Sequence, residues 1–264
     1  MIYPGRVIKA GEADARIVKA LKTALNKALA LRGSEALVLD TDNPRFGPSM
    51  KQAVRLFQAR HLDDQGLPLA TDGEVGSITW AALFGATEVP QHHEASDDFL
   101  GRVLDVAGAQ ADAAVREQPR NSNRGPEVDV YLRRAGVPPG LAWCCAFTYW
   151  CFDEAAQQAG RPNPMFKTAG CLNHWNNAVR QGAKRLLARD AVADPARVQP
   201  GAIFIMDFGG GMGHTGFVER IEGGYIHTIE GNTDASQGRE GGGVYRLRRK
   251  LVSINKGFVD YAGV

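Results

Sequence analysis

The chain has 264 residues, more than one compact core usually organises, and its 44% hydrophobic and 23% charged residues point to a soluble globular protein of more than one domain. A formal charge of +2 offers no basic excess, so no nucleic-acid partner is expected. No apolar run approaches the roughly 20 residues that span a bilayer, which excludes a membrane helix.

The start, M-I-Y-P-G-R-V-I-K-A-G-E-A-D, interleaves charges and glycine with its apolar residues. It has no apolar core or cleavage site of a Sec leader, so synthesis in the cytoplasm is expected. Residues 14–33 carry Ile17, Leu21, Leu25, Ala28 and Leu29 at helical spacing and stop at Gly33. Two further segments, F-G-P-S-M-K-Q-A-V (46–54) and V-G-S-I-T-W-A-A-L (75–83), align without gaps and each follows an Asp-containing turn. The spacing predicts a three-helix bundle with a duplicated unit, small but able to bury a core.

The duplicated stretch resembles the peptidoglycan-binding domain of many wall hydrolases, whose repeat runs D-G-x-F-G-x-x-T-x-x-A-V-x-x-F-Q. The first copy departs from it at Asn43 and at Met50, which cannot supply the hydroxyl that Thr79 supplies in the second. The resemblance covers about residues 12–86 and implies wall binding; a bundle used only for packing is the alternative. The polar, aperiodic stretch 88–98 reads as a linker, with His92 and His93 solvated in it. That leaves 1–87 as an all-α domain and 99–264 as a second domain. The second is helical first and becomes strands beyond Pro200, the order of an α+β fold with an antiparallel sheet.

Three of the four cysteines fall within A-W-C-C-A-F-T-Y-W-C-F (142–152). Adjacent prolines at 138 and 139 block a helix, and helical spacing runs from Ala146 to Gly160, so Cys144 and Cys145 stand at a helix amino end. Unpaired N–H groups and the helix dipole favour a thiolate there. C-C-x5-C is not a metal-clamp spacing. A Cys144–Cys151 disulfide would have to bridge about 10 Å along one helix, beyond the roughly 7 Å limit. Cys151 and Cys171 read as core packing.

A nucleophilic thiol needs a base. His61 lies in the first domain and His174 reads as a helix-face residue, whereas His214 opens a strand directly after a glycine-rich turn, where substrate can approach. If Glu222, Gly223 and Gly224 form a three-residue hairpin loop, His214 faces Asn232, Glu230 faces Gly216, and all four share one sheet face. His227 then points away. A two-residue loop would turn Glu230 and Asn232 to the other face.

The set P-x-G-L-A-W-C-C-A-F, P-G-A-I-F-I, G-H-T-G-F-V and I-E-G-N-T, in that order, resembles the CHAP branch of the papain-like NlpC/P60 superfamily of wall hydrolases over about residues 100–260. The resemblance implies a papain-like fold, with Cys144 in the nucleophile's position and Cys145 in that of a small packed residue. It further implies His214 as base, Glu230 or Asn232 as its orienting partner, and Trp143 either lining the substrate groove or packing. No metal or other cofactor is implied, and bacterial peptidoglycan is the expected partner of a monomer. An endolysin released to the wall, an injected effector toxin with the same chemistry, and a wall-binding protein without catalysis remain open.

Overall fold

The computed structural model describes residues 1–30, 38–238 and 241–264, which divide into two compact units, one essentially Met1–Gln91 and the other beginning at His92. In the first unit, α1 (Ala15–Ala28) starts where the Asp14 carboxylate accepts the backbone N–H groups of Arg16 and Ile17. It buries Ile17, Val18, Leu21 and Leu25. The helix closes at Ala28, and Ala30 already has φ 49°; the end expected at Gly33 lies outside the described residues.

The duplication has a structural cause. Gly47 and Gly76, at matching positions, are the extended N-caps of α2 (Pro48–Arg60) and α3 (Ser77–Phe84), and the apolar residues before them, Phe46 and Val75, are buried. The Gln58 amide holds the second Asp turn: Nε2 donates to Asp72 Oδ1 at 2.9 Å and Glu74 O at 2.8 Å, and Oε1 accepts Gly73 N–H at 2.9 Å. Lys22 takes the equivalent part for the first turn, donating to Asp40 O at 3.0 Å and Asn43 O at 2.6 Å. Thr79 is buried within 3.3 Å of Gln58 Nε2, while Met50 fills the matching place with apolar volume. Each copy thus satisfies its buried turn by a different donor.

The second unit opens with α4 (Asp98–Asp112), capped by Asp97. Just before it, His92 forms an isolated antiparallel bridge with Ile221. Next come α5 (Pro126–Arg134) and α6 (Cys144–Gln158), which buries ten of its fifteen residues and packs against both α4 and α5. The apolar run of the sequence is therefore a central core helix. After α7 (Cys171–Asn177), the strands and one short helix are β1 (Lys184–Leu187), α8 (Ala188–Ala193), β2 (Ile203–Gly209), β3 (Met212–Glu222), β4 (Tyr225–Thr233), β5 (Gly243–Lys250) and β6 (Gly257–Asp260).

The sheet has the order β1-β6-β2-β3-β4-β5 and is antiparallel, completing the α+β fold expected. Strand structure begins at Lys184 rather than beyond Pro200, because the short β1, K-R-L-L, lies at the sheet edge and carries no alternating pattern. One sheet face, with Ile203, Ile205, Phe217 and Ile229, joins the apolar cluster of α4, α5 and α6. The other, with Phe204, Val218, Ile226 and Phe258, packs on Ala191, Val198 and Leu251.

The β3–β4 hairpin corrects the expected loop. Gly223 and Gly224, at φ 58° and 84°, form a two-residue turn of the type I′ kind. Val218 and Ile221 nonetheless contribute to the same apolar cluster, so the alternation of β3 slips by one residue between them. The slip cancels the effect of the shorter loop. Gly216 and Glu230 consequently meet: a β-carbon on Gly216 would lie 2.7 Å from Glu230 Cγ.

Candidate active site

The site is built from the amino end of α6 upward. Trp143 is the N-cap, and Cys144 is the first helical residue, buried with only 4% of its surface open. The N–H groups of the first turn have no intrahelical acceptor. Cys145, also buried, points its Sγ toward Thr168 O at 3.6 Å, and Cys151 is sealed in the core two turns on.

The placement of Trp143 selects packing from its two expected roles. Its ring is fully buried, stands against Tyr131 and Phe147, and donates Nε1–H to Glu117 Oε1 at 2.9 Å. A sealed indole cannot line a groove. It anchors the start of α6 instead, and Glu117 is itself fixed through Ser122 N–H at 2.8 Å.

His214, on β3 opposite Met206 of β2, is 1% exposed. Its Nε2 lies 2.7 Å from Glu230 Oε2. Nδ1 is buried with no hydrogen-bond partner among the described residues, and the ring acts directly on the Cys144 thiol. Glu230, fully buried, accepts both Nε–H and Nη2–H of Arg249 at 2.6 Å each and the Thr228 hydroxyl at 2.5 Å. His214, Glu230 and Arg249 form one hydrogen-bonded unit, with the Cys144 thiol beside the ring. Asn232 is buried at the end of β4 with φ 57°, a backbone state that Asn tolerates better than most residues; the carboxylate of Glu230 holds the ring.

Charges follow from this arrangement. Burial would raise the Glu230 carboxyl, but Arg249 and His214 outweigh it and hold it at about 2. Burial would likewise strip the proton from His214, yet Cys144 and Glu230 reverse this and lift the imidazolium to about 9. The neighbouring Cys171 thiol and burial push the Cys144 thiol well up, while His214 pulls it down. The site therefore holds an imidazolium braced by a carboxylate, beside a thiol whose thiolate form that imidazolium favours against Cys171 and burial.

Sequence reasoning missed three participants. Arg249 sits in a basic strand, R-L-R-R-K, and is 5% exposed. Glu117 has no local signal at all. Cys171 was expected only to fill the core; its Sγ lies 3.4 Å from Cys144 Sγ. Among the other histidines, His174 is not on an open helix face: it is fully buried, its Nε2 2.9 Å from the Tyr261 hydroxyl, and burial pushes it down to about 3. His61 stacks on Phe57 in the first unit. No group of three or more His, Cys, Asp or Glu among the described residues is arranged to hold a metal ion, and no helix there is long and apolar enough to cross a membrane.

Comparison with known families gives two matches: the CHAP domain over residues 136–232 and a peptidoglycan binding domain over residues 15–83. Neither curated proteins nor solved structures give a match. The first matched range contains Cys144, His214, Glu230 and Asn232, and the second spans α1, α2 and α3. The chain joins a peptidoglycan binding domain to a CHAP domain, the make-up of a modular peptidoglycan hydrolase of a cysteine- and histidine-dependent amidase or endopeptidase family.

Proposed function

We propose that the protein is an endolysin-like lytic enzyme that cuts an amide or peptide bond of the peptidoglycan stem peptide, with Cys144 as nucleophile and His214 as its acid and base. The observation that carries this reading is the His214 imidazole held between the Cys144 thiol and the Arg249-braced Glu230. A wall binder placed ahead of the catalytic domain supports the endolysin setting.

In this reaction the Cys144 thiolate attacks the carbonyl carbon, and the charge on oxygen is met by the free N–H groups of the first turn of α6. The tetrahedral species collapses to a thioester as His214 gives its Nδ1 proton to the leaving amine. Neutral His214 then takes a proton from water, whose oxygen attacks the thioester, releasing the carboxylate and restoring the ion pair. Glu230 keeps Nε2–H engaged throughout, which fixes the ring's tautomer and angle. Asn232 is the second candidate for holding the ring.

Digestion of purified sacculi tests the reading. Mass spectrometry of the products is expected to show fragments carrying one added water and a new amine terminus, with no new reducing sugar. New reducing ends without new amines would mark a glycan-cleaving enzyme and end the proposal.

The charge state gives a second expected outcome. The imidazolium must be present to protonate the leaving amine, so kcat/KM is expected to fall as pH rises through about 9, where His214 loses its proton. Because Glu230 raises His214, the ring followed by NMR is expected to titrate at lower pH in Glu230→Gln. A ring titration unmoved by that substitution would show that the carboxylate does not brace it.

A further inference from the structure

The mechanism above leaves one buried reactive group unused. Cys171, the first residue of α7, presents its Sγ 3.4 Å from that of Cys144, and both thiols are free. The contact is built rather than incidental. Gly213, immediately before His214, lies so close that a β-carbon there would stand 3.2 Å from Cys171 Cβ and 2.7 Å from Met206 O. Glycine at 213 thus makes the room in which Cys171 reaches the nucleophile. Cys145 points its Sγ toward Thr168 O and also neighbours Cys171, and Cys151 lies two turns further along α6, so the thiol in contact with Cys144 is that of Cys171.

We propose that Cys144 and Cys171 form a reversible redox latch: a hydroperoxide oxidant converts them to a disulfide that removes the nucleophile, and a thiol reductant restores it. The inference rests on the reading of Cys144 as nucleophile. The Cys144 thiolate attacks one peroxide oxygen, forming the sulfenic acid and expelling hydroxide, which leaves as water after protonation. Cys171 sulfur then attacks the sulfenyl sulfur, the S–S bond forms, and its proton departs with the hydroxyl as a second water. Two thiols are oxidised and one peroxide is reduced to two waters. The sulfurs need only close from 3.4 Å to about 2.0 Å. The latch also shields the nucleophile, because a disulfide is recoverable whereas the sulfinic acid that a lone thiol reaches is not.

The test uses the full chain treated with excess hydrogen peroxide and then with dithiothreitol. Trypsin separates residues 135–167, which hold Cys144, Cys145 and Cys151, from residues 168–180, which hold Cys171. In the wild type these peptides are expected to appear joined and two hydrogens lighter, with lytic activity down at least about tenfold and recovered by the reductant. Cys145→Ser should keep the cross-link and Cys144→Ser should lose it. In Cys171→Ala, and in Cys171→Ser should the first fold poorly, no cross-link forms and the lost activity does not return.

Recovery by dithiothreitol in the Cys171 variants, a cross-link through Cys145, or only sulfinic acid at Cys144 in the wild type would each overturn the latch. The two readings fail differently. A Cys144–Cys171 cross-link that leaves lysis intact would remove Cys144 from the chemistry, whereas an inactive Cys144→Ala with no cross-link in the wild type would remove the latch alone.

Discussion

Cys144→Ala is expected to abolish release of peptide fragments from sacculi, a loss of about 10⁴-fold or more, while Cys145→Ala keeps most of the activity. The two residues are adjacent, alike in chemistry and both buried, so the difference must come from direction. Successive residues of a helix point about 100° apart. Cys144 meets the His214 ring, whereas the Cys145 sulfur is engaged by Thr168 O and Cys171. Truncating Cys145 removes one sulfur from the core and costs on the order of 1 kcal/mol, too little to unfold a domain. Truncating Cys144 removes the sulfur that the imidazole addresses. The pair of assays therefore controls for folding: circular dichroism and urea midpoints should be close to wild type in both variants, and lysis should survive in one. An active Cys144→Ala beside an inactive, folded Cys145→Ala would reverse the assignment.

Local features of the site were legible in the sequence, and long-range ones were not. Prolines before Cys144 and helical spacing after it locate a helix start, because both signals act over a few residues. The glycines at 47 and 76 likewise mark helix starts that the structure has at those positions. The His214–Glu230 contact depends on more than the hairpin loop length. A loop of two residues should have separated them by the period-2 rule, and only the slip between Val218 and Ile221 brings them back to one face. Nothing in the local pattern announces such a slip.

Arg249, Glu117 and Cys171 escaped for a common physical reason. Each satisfies a buried group far along the chain: Glu230 lies 19 residues from Arg249, Trp143 lies 26 from Glu117, and Cys144 lies 27 from Cys171. Burying a charge or an indole N–H demands a partner, yet it does not say which one. Periodicity reports the face on which a residue sits, and partners at this range are chosen by tertiary packing. Trp143 shows the same limit from the other side, since an aromatic beside a nucleophile fits a groove wall or a core equally well until its N–H partner is known.

Arg249→Met is expected to destabilise the protein by about 3–5 kcal/mol, the range for breaking a buried ion pair from one side. Glu230 is fully buried, and losing the bidentate guanidinium leaves its carboxylate, among the described residues, with His214 and the Thr228 hydroxyl. Arg249→Lys keeps the charge but not the two-pronged geometry and should fall between. The urea midpoint should drop at constant slope, the sign of a stability change without a change in the surface exposed. The pH dependence carries a sign as well. Glu230 is held at about 2 against an ordinary 4.5, so its contribution is fully present above 4.5 and lost as pH falls through 2. Without Arg249 the carboxyl rises, and the acid loss moves to higher pH. Adding Glu230→Gln to Arg249→Met removes the stranded charge and should recover much of the midpoint while leaving lysis low, because the imidazole has then lost its brace. Recovery of both would place Arg249 outside the His214–Glu230 unit, and an unchanged midpoint in the single variant would mean that the carboxylate never depended on it.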